Sequence, residues 1–189
     1  MRIISGLLKG STLHIPKNKN TRPLKDLVRE SIFNLLIHSK KINLNLDNAN
    51  ILDLYAGTGS FGLECFSRNA KYIYFVENEK FALEILKKNI KKLKIEKNIK
   101  IYSEDVLKII EKIDTTKFKI DLIFCDPPFA HKNIDKLVEL IFKKKLLNKN
   151  GIIILHRNKV VKDKLPDYLN ILEERIYGIS KIIFANFLP

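Results

Sequence analysis

The stretch Ile51-Leu52-Asp53-Leu54-Tyr55-Ala56-Gly57-Thr58-Gly59-Ser60-Phe61-Gly62 reads as an apolar strand, a glycine-rich turn and the start of a helix. Gly57, Gly59 and Gly62 fit the spacing GxGxxG. Glycines there permit a tight turn and let a ligand approach the backbone closely. The same spacing suits a nicotinamide dinucleotide site, so it specifies a strand–loop–helix unit before it specifies a ligand.

Outward from this unit the pattern repeats. Strands are expected at 50–55, 72–77, 99–103, 120–125 and 151–155, and helices at about 60–68, 79–93, 105–112 and 133–146. Several strands, such as Gly151-Ile152-Ile153-Ile154-Leu155, are continuously apolar rather than alternating, which suits strands covered on both faces. Alternating strands and helices of this kind predict an α/β fold with a mostly parallel, doubly wound sheet. The runs 171–177 and 179–184, with Gly178 between them, predict an antiparallel hairpin at the sheet edge.

Residues before Asn50 look different. Arg2–Ile4 and Ser11–Ile15 are short β-prone runs around Gly6 and Gly10, suggesting a small hairpin or arm. Leu24, Leu27, Val28, Ile32, Leu35 and Leu36 then recur at helical spacing over roughly 24–39. Lys25, Asp26, Arg29 and Glu30 are expected on the opposite face.

Acids end three successive strands. Asp53 lies four residues before Gly57, where its carboxylate can face a ligand ammonium or cap the loop. Glu77 ends the second strand, a position suited to bidentate bonding of two ribose hydroxyls. Asp105 follows the third and can accept from an adenine amine, cap the next helix, or both.

The fourth strand ends in Asp126-Pro127-Pro128-Phe129. Each proline fixes its own φ and restricts the residue before it, so the loop is stiff. The Asp126 carboxylate and the Pro127 carbonyl can both accept from one –NH2 group, and Phe129 can stack on the ring that bears it. An exocyclic nucleobase amine is a poor nucleophile because its lone pair is delocalised. Two acceptors turn the nitrogen toward tetrahedral geometry, aim the lone pair at an electrophilic methyl, and stabilise the positive charge that develops.

Composition is consistent with a nucleic-acid partner. Lys plus Arg number 35 against 21 Asp plus Glu, a formal charge of +14. Only six of the 35 are Arg, and the abundance of Lys, Ile and Asn also fits an AT-rich genome. The run Lys87, Lys88, Lys91, Lys92 and Lys94 reads first as a solvated helix face and second as an RNA platform. Cys65 and Cys125 lack ligand spacing, so both are expected in the core and no metal site is expected. No apolar run approaches a membrane span and the start has no signal-peptide core, so a cytoplasmic protein is expected.

These motifs together resemble the Rossmann-like methyltransferases, and the resemblance covers nearly the whole chain. Asp126-Pro127-Pro128-Phe129 is similar to their amino-methyltransferase signature. Arg2-Ile3-Ile4-Ser5-Gly6, Lys9-Gly10, Thr21-Arg22-Pro23, Asp26-Leu27-Val28-Arg29-Glu30-Ser31-Ile32-Phe33-Asn34 and Tyr177-Gly178 are similar to the RsmD family. That resemblance implies methyl transfer from S-adenosylmethionine to guanine N2 of small-subunit (16S) ribosomal RNA. Asp126, Pro127, Pro128 and Phe129 would be catalytic. Asp53, Ala56, Gly57, Gly59, Glu77 and Asp105 would bind the cofactor. Arg2, Lys9, Arg22 and Arg29 would contact RNA phosphates near a flipped base. Residues 1–40 would be an RNA-contacting arm and helix, and 41–189 the methyltransferase domain. A monomer acting on an assembling ribosomal particle is expected. Ser60-Phe61 and Asn69 depart from the pattern without touching the residues that carry it.

Other readings explain less. An adenine-N6 or cytosine-N4 DNA methyltransferase would need a target-recognition domain, and little chain remains for one. A glutamine methyltransferase would resemble an Asn-Pro-Pro loop. A nicotinamide oxidoreductase accounts for the glycines but not for Asp126–Phe129. A non-catalytic RNA-binding protein has no need of the intact acids.

Overall fold

A computed structural model describes residues 1–16, 26–114, 119–128 and 133–188. Its centre is a seven-stranded sheet formed by β1 (Asn50–Leu54), β2 (Tyr72–Val76), β3 (Ile99–Tyr102), β4 (Ile120–Cys125), β5 (Leu147–Asn158), β6 (Leu169–Tyr177) and β7 (Ser180–Phe187). The strand order is β3-β2-β1-β4-β5-β7-β6. The first five strands pair in parallel. The expected C-terminal hairpin is antiparallel: β7 pairs with β5, and β6 forms the outer edge. Tyr177 faces Ser180 across the turn, where Gly178 takes φ +62°.

Helices α1 (Asp26–His38), α2 (Ser60–Ser67), α3 (Lys80–Leu93), α4 (Val106–Lys112) and α5 (Ile134–Lys143), with a short 3-10 turn at Glu96–Asn98, complete the described elements. Alternate strand residues point to opposite faces. Ile51, Phe75, Leu122, Phe124 and Ile154 share one core with Phe33 of α1, Phe61 and Leu63 of α2, and Leu86 of α3. Leu52, Val76, Ile123, Cys125 and Leu155 share the other with α4 and α5. Two covered faces explain why these strands are apolar without alternation. Cys65 and Cys125 are buried and unbridged.

The amino-terminal arm is a minimal hairpin. Arg2 and Thr12 form an isolated antiparallel bridge, and Ile3 N–H donates to the Ser11 carbonyl at 2.9 Å. Ile3 and Leu13 are buried in the core that α1 to α3 cover. The Ile4 and Ser5 amides donate to the Glu64 carboxylate of α2 at 2.7 and 3.0 Å. The Leu8 amide donates to Ser67 Oγ at 2.9 Å. Gly6 is required at the closest approach: its φ is +82°, and a Cβ there would lie 1.7 Å from the Ser67 carbonyl oxygen.

Two expectations are corrected here. Arg29 does not lie on the outer face of α1; it is 0% exposed. It precedes Ile32 and Phe33 by three and four residues, so the helical period carries it inward. β5 runs beyond the expected 151–155 at both ends. Its extension holds His156 and Arg157, whose polar side chains obscure a strand although both are buried. Among the described residues no helix is long and apolar enough to cross a membrane.

Candidate active site

Parallel pairing aligns the carboxyl ends of β3, β2, β1 and β4. Leu54 pairs with Val76 on one side and Cys125 on the other, and Val76 pairs with Tyr102. The next residues begin the loops that carry the predicted site. Loops at the carboxyl ends of parallel strands bound the crevice where open α/β sheets take ligands.

The glycine loop is held from beneath. The Ala56 amide donates to the Val76 carbonyl at 3.0 Å, and the Gly59 amide to the Ala56 carbonyl at 2.8 Å. Gly57 has φ +57°, and a Cβ placed on it would meet nothing within 4 Å. That open space is the approach a ligand needs. Gly59 faces the other way: at φ +82° its Cβ would lie 2.4 Å from Leu86 Cδ1.

Asp53 sits differently from the expectation that it meets a ligand ammonium. It is 1% exposed, and Oδ2 accepts the Gly62 amide at 2.9 Å. The loop-capping alternative describes this contact. Burial pushes its carboxyl well above the ordinary range; the Gly62 bond opposes that rise, and the nearby charges of Asp126 and Glu77 add to it. Asp53 therefore fastens the start of α2 from inside.

Glu77 is also nearly buried. Oε2 accepts the Gly57 amide at 2.6 Å and Oε1 accepts the Glu79 amide at 2.7 Å. Each oxygen keeps a second lone pair for a ribose hydroxyl. Asp105 is exposed and caps α4, with Oδ1 accepting from the Leu107 and Lys108 amides at 3.0 and 3.3 Å. Its cap and its place beside the crevice coexist.

Asp126 follows β4, and its amide donates to the Leu54 carbonyl at 3.4 Å, which ties it to the strand that leads into the glycine loop. Its side chain is 22% exposed, and Oδ1 stands 2.8 Å from His156 Nδ1. Pro127 is buried and Pro128 exposed, so the exit turn is anchored on one side and open on the other. Phe129 and Arg22 lie outside the described residues.

Of the predicted RNA contacts, Arg2 and Lys9 are exposed on the arm. Arg29 is not available to a phosphate. Its Nη2 donates to the Arg2 carbonyl at 2.5 Å and to Asp26 Oδ1 at 3.1 Å, and burial lowers its pKa. Arg29 holds the arm from within. Of the lysine run, Lys92 Nζ donates to the carbonyl and hydroxyl oxygens of Thr12, both at 2.7 Å.

A family model described as conserved hypothetical protein 95 matches residues 1–186. The chain belongs to this, the RsmD family. Its relatives include proteins named ribosomal RNA small subunit methyltransferase D. That of Buchnera aphidicola subspecies Acyrthosiphon pisum is 34% identical over 177 residues, spanning 92% of this chain and 86% of its own. That of Haemophilus influenzae is 29% identical over 180 residues, spanning 95% and 90%. The solved structure of yhhF from Escherichia coli matches with a TM-score of 0.84 at 24% identity, covering 100% of this chain and 98% of that one, which shows the shared fold.

The structure of this RsmD-family chain adds two residues that sequence reasoning passed over. Asn89 of α3 is fully buried. Its Oδ1 accepts the His14 amide at 2.7 Å, while Nδ2 donates to the carbonyls of His14 and Thr58 at 3.2 and 3.0 Å. A polar residue at a core position of an amphipathic helix, between Leu86 and Ile90, was the available signal. His156 is the second, and it lies near the end of β5, the strand paired with the one that delivers Asp126.

Proposed function

We propose that this chain methylates the exocyclic N2 of a guanine in small-subunit ribosomal RNA, with S-adenosylmethionine as donor. The observation that carries the proposal is Asp126: a part-buried carboxylate on a proline-stiffened turn, tied by its amide to the strand that opens into the glycine loop. Membership of the RsmD family and relatives named for this rRNA activity support the substrate class.

The residues suit the donor. Gly57 leaves space above the loop, Glu77 retains lone pairs for ribose hydroxyls, and Asp105 stands at the next strand end. When bound, S-adenosylmethionine supplies an electrophilic methyl whose carbon–sulfur bond breaks as the carbon–nitrogen bond forms. Asp126 and the Pro127 carbonyl accept from the guanine amine and turn its lone pair toward that carbon. The nitrogen's growing positive charge is stabilised by both acceptors, and an N–H proton leaves along the bond to Asp126. Phe129 is assigned to stacking on the base.

Residues 1–40 serve as the RNA-contacting extension, with Arg2, Lys9 and Arg22 on the phosphate backbone, and 41–189 as the catalytic domain. The protein works in the cytoplasm as a monomer on an assembling small subunit.

Mass mapping of methylated nucleosides in RNA from cells with and without the protein tests the whole assignment. One N2-methylguanine should vanish from small-subunit RNA and return with the wild-type chain. Asp126→Ala should fail to restore it while binding S-adenosylmethionine within a few-fold of wild type. A restored mark with Asp126→Ala removes Asp126 from catalysis.

A further inference from the structure

We infer that His156, backed by Ser180, is a positioning residue for the Asp126 carboxylate, an inference that rests on Asp126 being the amine acceptor. His156 is 7% exposed and Ser180 is 8% exposed, so neither contact is a passing surface encounter. His156 Nε2 lies 2.8 Å from Ser180 Oγ, and Nδ1 lies 2.8 Å from Asp126 Oδ1. The three side chains come from the end of β4, the end of β5 and the start of β7.

The order of strands makes this row possible. β4 and β5 are parallel, and Cys125 pairs with Leu155, so Asp126 and His156 emerge side by side. β7 returns antiparallel along β5, and Asn158 pairs with Ser180, which brings the hydroxyl to the same end of the sheet. The inserted β7 thus places a hydroxyl behind the imidazole.

The chemistry follows from donor and acceptor capacity. With the Ser180 hydroxyl donating to Nε2, the ring proton sits on Nδ1, facing Asp126. Nδ1 stands against Oδ1 at 2.8 Å but off the line of a hydrogen bond in this structure. The imidazole thus packs on one carboxylate oxygen, a small ring rotation brings the N–H into line with it, and Oδ2 is left for the guanine amine. A carboxylate has two soft torsions, and one occupied oxygen removes much of that freedom. The prolines hold the backbone of the turn; His156 holds the acid itself. An amine acceptor must sit within a few tenths of an ångström of its place to direct a lone pair, so a loose carboxylate costs rate rather than binding.

Single-turnover methylation of the RNA substrate tests this, alongside separate measurements of S-adenosylmethionine and RNA affinity. His156→Ala should slow the methyl-transfer step about 10- to 100-fold, the range expected on losing a hydrogen bond to a charged group, with both affinities within about two-fold. His156→Asn offers an amide N–H at the reach of Nδ1 and should recover most of the rate. Ser180→Ala should give a smaller loss of the same kind. Thermal melts accompany each variant, and the Asn variant carries the test if the Ala variant does not fold. A wild-type transfer rate in folded His156→Ala, or an Asn variant no better than Ala, overturns the role. If Asp126→Ala is itself fully active, the parent reading fails. If Asp126→Ala is dead and His156→Ala is normal, only the positioning role falls.

Discussion

Glu77 Oε2 accepts the Gly57 amide at 2.6 Å, linking the end of β2 to the crest of the glycine loop. One carboxylate therefore shapes the loop, and in the proposed reading it also meets the adenosine ribose. Glu77→Ala should weaken S-adenosylmethionine binding by about 10-fold or more, because a charged hydrogen-bond partner is lost from loop and ligand together. Glu77→Gln keeps one acceptor and should fall between. Calorimetric titration with S-adenosylmethionine measures both, and unchanged affinity in Glu77→Ala would refute the ribose assignment.

The glycines should separate by what surrounds them. Gly57→Ala meets no atom, so the protein should fold at a cost of about 1 kcal/mol for the left-handed backbone and lose cofactor affinity. Gly62 sits in a helix, yet its Cβ would lie 2.4 Å from Phe75 Cε1 and 2.7 Å from Ile73 Cγ2. Gly62→Ala should destabilise by roughly 1–3 kcal/mol through overpacking. Urea melts paired with binding assays distinguish the two, and equal stability losses would contradict the contrast.

Asp53 should give the protein a pH-dependent weakness. Its folded pKa is raised above the ordinary 3.8, chiefly by burial. The folded state then binds the proton more tightly than the unfolded chain. Its contribution is fully present below the ordinary value and is lost as pH rises through the folded pKa. Asp53→Asn keeps an acceptor for the Gly62 amide without the buried charge. Its stability relative to wild type should improve on going from pH 4 to pH 8 in chemical denaturation. Parallel stability curves would show that Asp53 does not titrate in this way.

Salt dependence should sort the arginines. Arg2→Ala, Lys9→Ala and Arg22→Ala should each flatten the slope of log affinity for RNA against log salt by about 0.7 to 0.9. Arg29→Ala should leave the slope alone and lower stability by ~2–4 kcal/mol, because it empties a buried site and removes the donor to the Arg2 carbonyl. A slope change for Arg29→Ala in a folded protein would place it at the RNA after all.

Much of this was legible in the chain. Strands covered on both faces announced themselves through runs such as Ile152–Leu155, and the glycines and prolines marked the loops that matter. What stayed hidden shares one cause: charge or polarity was read as exposure. Arg29 sits at a core position of α1, Asp53 faces inward to the Gly62 amide, and His156-Arg157 continues β5 under cover. In each case a polar partner outside the residue's own helix or strand permits burial: the Arg2 carbonyl for Arg29, the Gly62 amide for Asp53, Ser180 for His156, and Asp163 for Arg157 with contacts of 2.8 Å to Nε and Nη2. Such partners meet only when the chain is folded, so local pattern carries no trace of them.

The carboxamide of Asn89 grips the arm at His14 and the loop at Thr58 with complementary ends. Aspartate has the same outline, but it would set lone pairs against two carbonyl oxygens and turn attraction into repulsion on both sides. Glutamine overshoots by a methylene, and leucine offers neither pole. Asn89 thus ties the arm at His14 directly to the glycine loop at Thr58, and damage there would disturb both segments at once.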